Sequence, residues 1–329
     1  MIWVTWRQHR LAGLGAAVLV ALLGAGIYFV SYELSHPACQ AGVMAGICSN
    51  DAAGRLATWV LEIFPAPPSA GEGLSHPTGW GGLANYSLVA LPALAGAFVA
   101  APLIAREFEN GTHRLAWTQG VTRMRWLFGK LTLLFVPLLG AAAALGILEV
   151  HMIDVTGSQP NHWDLFDQEA PLIVGSTAFA LALGVAAGAV LGRSVPAIAV
   201  TLIGFSITRN VMAMFVRPAY QSPQLFTTHD PNALDKGMSP DPTAWLMGGP
   251  EYHDAAGRAL NDSQVRDLLA HTGNQSAVNY FTDHGISLWW YYQPGDRFWT
   301  FQAIETTILV VAAVLLLGVT AYWVARRAS

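Results

Sequence analysis

The chain has 329 residues, of which 53% are hydrophobic and only 12% charged, and its mean hydropathy is +0.40. Soluble domains carry about 25% charged residues, so this composition points to a membrane protein. A formal net charge of −4 gives no basic footprint for nucleic acid, and two cysteines, Cys39 and Cys48, are too few for a cysteine-rich metal or redox scaffold.

A spanning helix needs roughly 20 mostly apolar residues at 1.5 Å rise each. Six stretches meet that length in chain order: Leu11–Val30, Ser87–Ala105, Leu131–Val150, Pro171–Leu191, Val195–Phe215 and Phe301–Val324. The fifth contains a charge, Arg209. The expected fold is therefore an all-α integral membrane protein of six transmembrane helices in a single transmembrane domain, 1–329. Residues 1–10 read as an interfacial segment, with Trp3 and Trp6 suited to the headgroup region and Arg7 and Arg10 to the inner side. The first apolar run is too long for a signal-peptide core, and no small-x-small site follows it, so it reads as an uncleaved span.

Short cytoplasmic loops collect Lys and Arg. Arg7, Arg10, Arg106, Arg114, Arg123, Arg125, Lys130, Arg193, Arg326 and Arg327 fall on one side. The other side holds most of the acids and fewer cations over a longer length. Both termini are thus expected in the cytoplasm. Residues 31–86 become an extracytoplasmic loop carrying both cysteines, and Cys39 and Cys48 either close a small disulfide loop or stay as two free thiols. Asp154, Asp164, Asp167 and Glu169 form a short acidic loop. Residues 216–300 form a larger extracytoplasmic cap region, within which Asp262–Leu269 has a helical pattern with Asn261 or Asp262 as its N-cap.

The residue types that drive chemistry are sparse. A P-loop needs Gly-x-x-x-x-Gly-Lys followed by Ser or Thr. Gly129-Lys130 has Met124 where the first Gly belongs and Leu131 after the Lys, while Lys236 follows Asp235. There is no His-Glu-x-x-His pair and no Gly-x-Ser-x-Gly elbow. His162 with Asp164 and Asp167, His253 with Asp254, and Asp283 with His284 read as solvated acidic surface rather than metal sites. No catalytic residue, metal site or resident cofactor is expected.

Residues 106–130 are the most informative loop. Asn110-Gly111 is a turn signal. The residues that follow suit a short helix with Leu115, Trp117 and Val121 as apolar knobs, flanked by Arg114, Arg123 and Arg125. Such a helix fits either a groove on a soluble partner or the lipid headgroups.

Three segments carry a family resemblance: Trp6-Arg7-Gln8-His9-Arg10, Arg106 to Gln119 with its Glu109-Asn110-Gly111-Thr112 run, and Tyr292 to Trp299 with Phe301, Gln302 and Glu305. The chain resembles bacterial ABC transporter permeases of the type 2 exporter class. The resemblance implies that the 106–130 loop is a coupling loop docking on a separate ABC ATPase subunit. Glu107, Glu109, Asn110, Gly111, Thr112, Trp117, Thr118 and Gln119 would carry that role, with ATP and Mg held by the partner. It further implies a homodimer or paired permease that exports its substrate from a bacterial plasma membrane; spans rich in Ala, Gly, Leu and Val offer an apolar path that suits a hydrophobic or amphipathic one. The segment ahead of span six is similar to an outer re-entrant gate, although a longer loop precedes it here. Two rivals remain on the residues alone: a membrane enzyme with an extracytoplasmic site, and a scaffold or sensor that docks an ATPase without transport.

Intramembrane charges are costly and are usually paired or functional. Arg209 lies roughly 20 Å along the fifth span and Glu305 at a similar depth in the sixth. They are expected to pair and hold an outer gate, or else to snorkel separately. Gly184 and Gly188 form a small-xxx-small pair that suits packing within the subunit or at a dimer face.

Overall fold

The computed structural model describes residues 87–112, 122–156, 161–234, 236–238, 241–271 and 277–326. The first expected span, Leu11–Val30, lies outside them, as do the 1–10 segment, Cys39, Cys48, and Trp117, Thr118 and Gln119. The chain divides into two compact units. One takes the described part of Met1–Pro160 with Leu165–Met212 and Gln302–Ser329; the other takes Asn161–Asp164 and Ala213–Phe301.

The first unit is a helical bundle. Helix α1 (Ser87–Leu94) runs through a π-helical turn (Ala95–Ala100) into α2 (Ala101–Glu109). It is followed by α3 (Arg123–Thr156), α4 (Ala170–Leu191) and α5 (Ser194–Val211). The last helix of the chain, α8 (Phe298–Arg326), completes the bundle. Five helical stretches among the described residues are long and apolar enough to cross a membrane: Ala90–Glu109, Arg123–Leu148, His162–Leu191, Ser194–Ala219 and Gly295–Arg326. They coincide with the second to sixth expected spans, with ends displaced by a few residues. The second carries on past Ala105 to Glu109, and the third starts at Arg123, a full two turns before Leu131.

Helix α4 is apolar on every side, which suits a helix at the centre of a bundle. In its spanning segment 78% of the residues are buried, against 22% in those of α5 and α8. Proline at its start and Gly192 at its end (φ 62°) delimit it, and the Gly192 N–H closes on the Gly188 carbonyl at 3.0 Å. The outer faces of α5 and α8 leave Ile203, Ile207, Val314 and Leu315 exposed. Such faces need an apolar surround, which a bilayer supplies.

Small residues set the approach of α2 to α4. A Cβ placed on Gly184 would collide with the Gly96 carbonyl oxygen and lie 3.0 Å from Ala101 N; one on Gly188 would lie 2.5 Å from the Ala101 carbonyl oxygen. The Gly184–Gly188 pair therefore packs within the chain, backbone to backbone, and Ala101, Ala105, Ala187 and Ala197 fill the same seam.

The second unit corrects the all-α expectation, since the chain is mostly helical but not wholly so. Strands β1 (Gln224–Thr228), β2 (Trp245–Leu246), β3 (Glu251–His253) and β4 (Ser287–Gln293) form an antiparallel sheet. β4 is central. β1 lies along one edge in the register Gln224↔Tyr292, and β2 and β3 share the other. The aromatic run Leu288–Tyr292 has the residue types that suit a pleated surface. Helices α6 (Asp262–His271) and α7 (Ala277–Asp283) complete the unit, and Phe281, Ile286 and Leu288 form its core. Asn261 caps α6: its Oδ1 accepts from the N–H groups of Ser263 and Gln264 at 3.1 and 3.0 Å, and Gln264 Oε1 accepts from Asn261 N at 2.9 Å.

Candidate functional site

Helix α5 carries Arg209 inward near its C-terminal end, where its side chain is 8% exposed. Nη1 donates to Glu305 Oε1 on α8 at 2.6 Å, and Nη2 donates to Asp167 Oδ1 at 2.6 Å. Glu305 is fully buried, while Asp167 is about one-third exposed at 35%. Two carboxylates thus share one guanidinium, whose planar fork can serve both at once. One turn away on α8, Gln302 is buried at 1% exposure and donates Nε2 to the Phe166 carbonyl at 2.6 Å. Gln302 Oε1 and Thr306 Oγ1 are buried with no hydrogen-bond partner. The helix face that holds Glu305 is therefore polar over three positions inside an apolar bundle.

Asp167 was not singled out as an Arg209 partner by the sequence. It stands three residues ahead of α4, so the depth argument that relates Arg209 to Glu305 applies to it equally. The expectation of a solvated acidic loop holds for His162 and Asp164, which are exposed, and is corrected for Asp167, which is engaged by Arg209, and for Glu169, which is 7% exposed.

At the C-terminal end of α2 the acidic motif is hydrogen-bonded to neighbouring helices, with Glu107 half-buried and Glu109 exposed. Asn110 caps α2 and Gly111 turns left-handed (φ 69°), so Asn-Gly ends the helix as the turn signal requires. Glu107 accepts a hydrogen bond from Lys130 on α3, whose side chain is 3% exposed and whose Nζ lies 5.1 Å from the centre of the Trp126 ring. Glu109 Oε2 accepts from Ser194 N at 3.2 Å and from Ser194 Oγ at 2.9 Å, at the start of α5. Arg123 Nη1 donates to the Ala325 carbonyl at 2.8 Å, in the last turn of α8. Thr112 is exposed beside Gly111. The remaining loop residues assigned to docking lie outside the described residues.

The histidines of the second unit serve its packing. His253 stacks on Trp289 at 3.8 Å and its Nδ1 faces the Gly257 carbonyl at 3.1 Å. His284 stacks on Tyr280 at 4.1 Å, and His162 lies edge-on to Phe298 at 5.6 Å. Asp254 is taken up by the N–H groups of Ala256 and Arg258 and by the Arg258 guanidinium, which hold its carboxyl below the usual range. Among the described residues no group of three or more His, Cys, Asp and Glu converges as a metal site.

Apolar helices of spanning length around a buried ion cluster make this a multi-pass, membrane-embedded helical protein. A family model described as ABC-2 membrane transporter related matches residues 76–217. The match supports an ABC-2-type permease, in line with the resemblance seen in the Arg106–Gln119 segment. It takes in Glu107–Thr112, Lys130, Asp167 and Arg209 and ends before the sheet and Glu305. No curated protein and no solved structure matches the chain.

Proposed function

We propose that this chain is the membrane-spanning permease subunit of an ATP-driven ABC exporter. The observation that carries the reading is the ABC-2 match over residues 76–217, which contains the Glu-Asn-Gly-Thr segment. A permease of this kind pairs with a separate ABC ATPase subunit, which would hold ATP and Mg. The 106–130 loop docks on that subunit, with both termini on the same, cytoplasmic face of a bacterial plasma membrane. Two permease subunits work together, as a homodimer or a pair, and move a hydrophobic or amphipathic substrate outward.

In this reading ATP binding closes the ATPase pair, and the loop passes the motion to α2 and α3. The Asp167–Arg209–Glu305 cluster holds the outward-facing end of α5 against α8 and α4 and parts when the gate opens. Such coupling requires the ATPase to bind one permease state more tightly than the other.

The test is affinity purification of the tagged full chain from membranes, with mass spectrometry and an ATPase assay. An ABC ATPase subunit should co-purify, and Trp117→Ala should release it. Absence of any ATPase subunit under gentle solubilisation would sink the reading.

A further inference from the structure

The two carboxylates of the acidic motif are the residues that an external docking surface would use, yet both are already hydrogen-bonded within the chain, Glu107 at a half-buried site and Glu109 at an exposed one. Glu107 is committed to Lys130, an ammonium that is almost wholly buried. Withdrawing that carboxylate toward a soluble partner would leave an uncompensated charge in the bundle. Glu109 occupies the N-terminal turn of α5 through two hydrogen bonds from Ser194, where a carboxylate is favoured by the helix dipole and by the free N–H groups. On the returning side of the loop, Arg123 grips a carbonyl in the last turn of α8, where a cation is favoured for the converse reason.

We infer that Glu107 and Glu109 are positioning residues which fasten the coupling loop to α3 and α5, and do not themselves contact the ATPase. This rests on the permease reading above. The outgoing end of the loop is tied by Glu107 to α3 and by Glu109 to α5. The returning end is tied by Arg123 to α8. A displacement of residues 112–122 is thereby handed directly to α5 and α8, the two helices whose far ends carry Arg209 and Glu305. Docking falls to the loop's own apolar and polar knobs, Trp117, Thr118 and Gln119.

The experiment uses the full chain in its complex with the ATPase subunit, reconstituted in nanodiscs, with amide hydrogen exchange followed with and without a non-hydrolysable ATP analogue plus Mg. Glu109→Gln should retain the ATPase subunit within about twofold. It should also abolish the nucleotide-dependent change in exchange at residues 194–197 of α5. Glu107→Gln should retain the subunit and lose the response in the first turns of α3, and the exchange Glu107→Lys with Lys130→Glu should restore it. Trp117→Ala should release the subunit.

Release of the ATPase by Glu109→Gln or Glu107→Gln, to the extent seen for Trp117→Ala, would overturn the inference. So would retention with an unchanged nucleotide response. If the unaltered chain holds no ATPase at all, the permease reading fails separately. The clamp is then read in the chain alone, where Glu109→Gln must speed exchange at residues 194–197, and unchanged exchange there overturns it.

Discussion

Arg209 on α5 holds Glu305 on α8 through a 2.6 Å hydrogen bond, and Glu305 has no exposure of its own. Its second arm reaches Asp167 at the same distance. Removing one member of a buried pair leaves the other charge unpaired, which costs about 3–5 kcal/mol. Glu305→Met and Arg209→Met should each lower the thermal unfolding midpoint of the detergent-solubilised chain strongly. The double variant should recover much of the loss, because two apolar groups replace two charges. Arg209→Lys should fall with the single variants, since a point charge cannot serve two carboxylates in fork geometry. A double variant as unstable as either single one would show that the pair is not coupled. A reciprocal charge exchange is a poorer test, because it would set Glu at position 209 against Asp167.

The seam between α2 and α4 allows no side chain at Gly184, which faces the backbone of Gly96 and Ala101. Neighbouring backbone cannot swing aside, so Gly184→Val should destabilise by about 1–3 kcal/mol or more, read as a lowered midpoint and a loss of monodisperse material on size exclusion. Gly140→Ala on α3 and Gly318→Ala on α8 meet open space and should leave the midpoint unchanged or slightly raised, since alanine favours a helix interior over glycine.

Acid should loosen the sheet unit. Burial pushes the Asp241 carboxyl up, but hydrogen bonds from Thr243 and from Gly295 N outweigh it and hold it below its ordinary value of 3.8. Asp230 and Asp254 are lowered likewise, chiefly by Lys236 and Arg258. A carboxyl depressed in the folded state contributes stability that is complete above its unfolded value and is lost as pH falls through the folded one. Tryptophan fluorescence should hold steady from neutral pH to about pH 4 and change below that. Asp241→Asn should flatten the acid limb; an identical acid limb in that variant would remove Asp241 from the account.

The N-cap of α6 offers a local test. Asn261→Ala removes the acceptor for two N–H groups at the start of the helix, and loss of such a cap costs about 0.5–2 kcal/mol. Amide exchange in α6 should quicken by roughly a factor of two to thirty, by the usual energy-to-rate conversion, while exchange in α4 stays as it was.

Much of this architecture was legible in advance because it depends on short stretches of chain. The five described spans fall where apolar length put them, since no context changes how many residues a bilayer requires. Asn110-Gly111 ends α2 and Asn261 opens α6 because caps are settled by two or three neighbouring residues. The relation of Arg209 to Glu305 was legible for a similar reason: depth along a helix is countable from sequence.

Pairings across distant segments were not legible. The run Leu288–Tyr292 has strand-forming residues, but its partners are fixed by register with segments about forty to seventy residues away, and the region read only as a cap. Lys130 looked like one more inner-side cation, although it is buried against Glu107. Glu107 and Glu109 were legible only as docking residues, not as partners of Lys130 and Ser194, and Asp167 looked like part of a solvated loop.

The sequence by itself determined which stretches are apolar enough to span and on which side of the chain's spans the cations gather, because these are local properties of composition and spacing. Only the tertiary structure decided that α4 lies at the centre, that Gly184 and Gly188 face α2 inside the chain, and that the carboxylates of the acidic motif are taken up by Lys130 and Ser194. Those outcomes follow from which faces approach closely enough to exclude other partners, and that closeness is a property of packing between segments far apart in the chain.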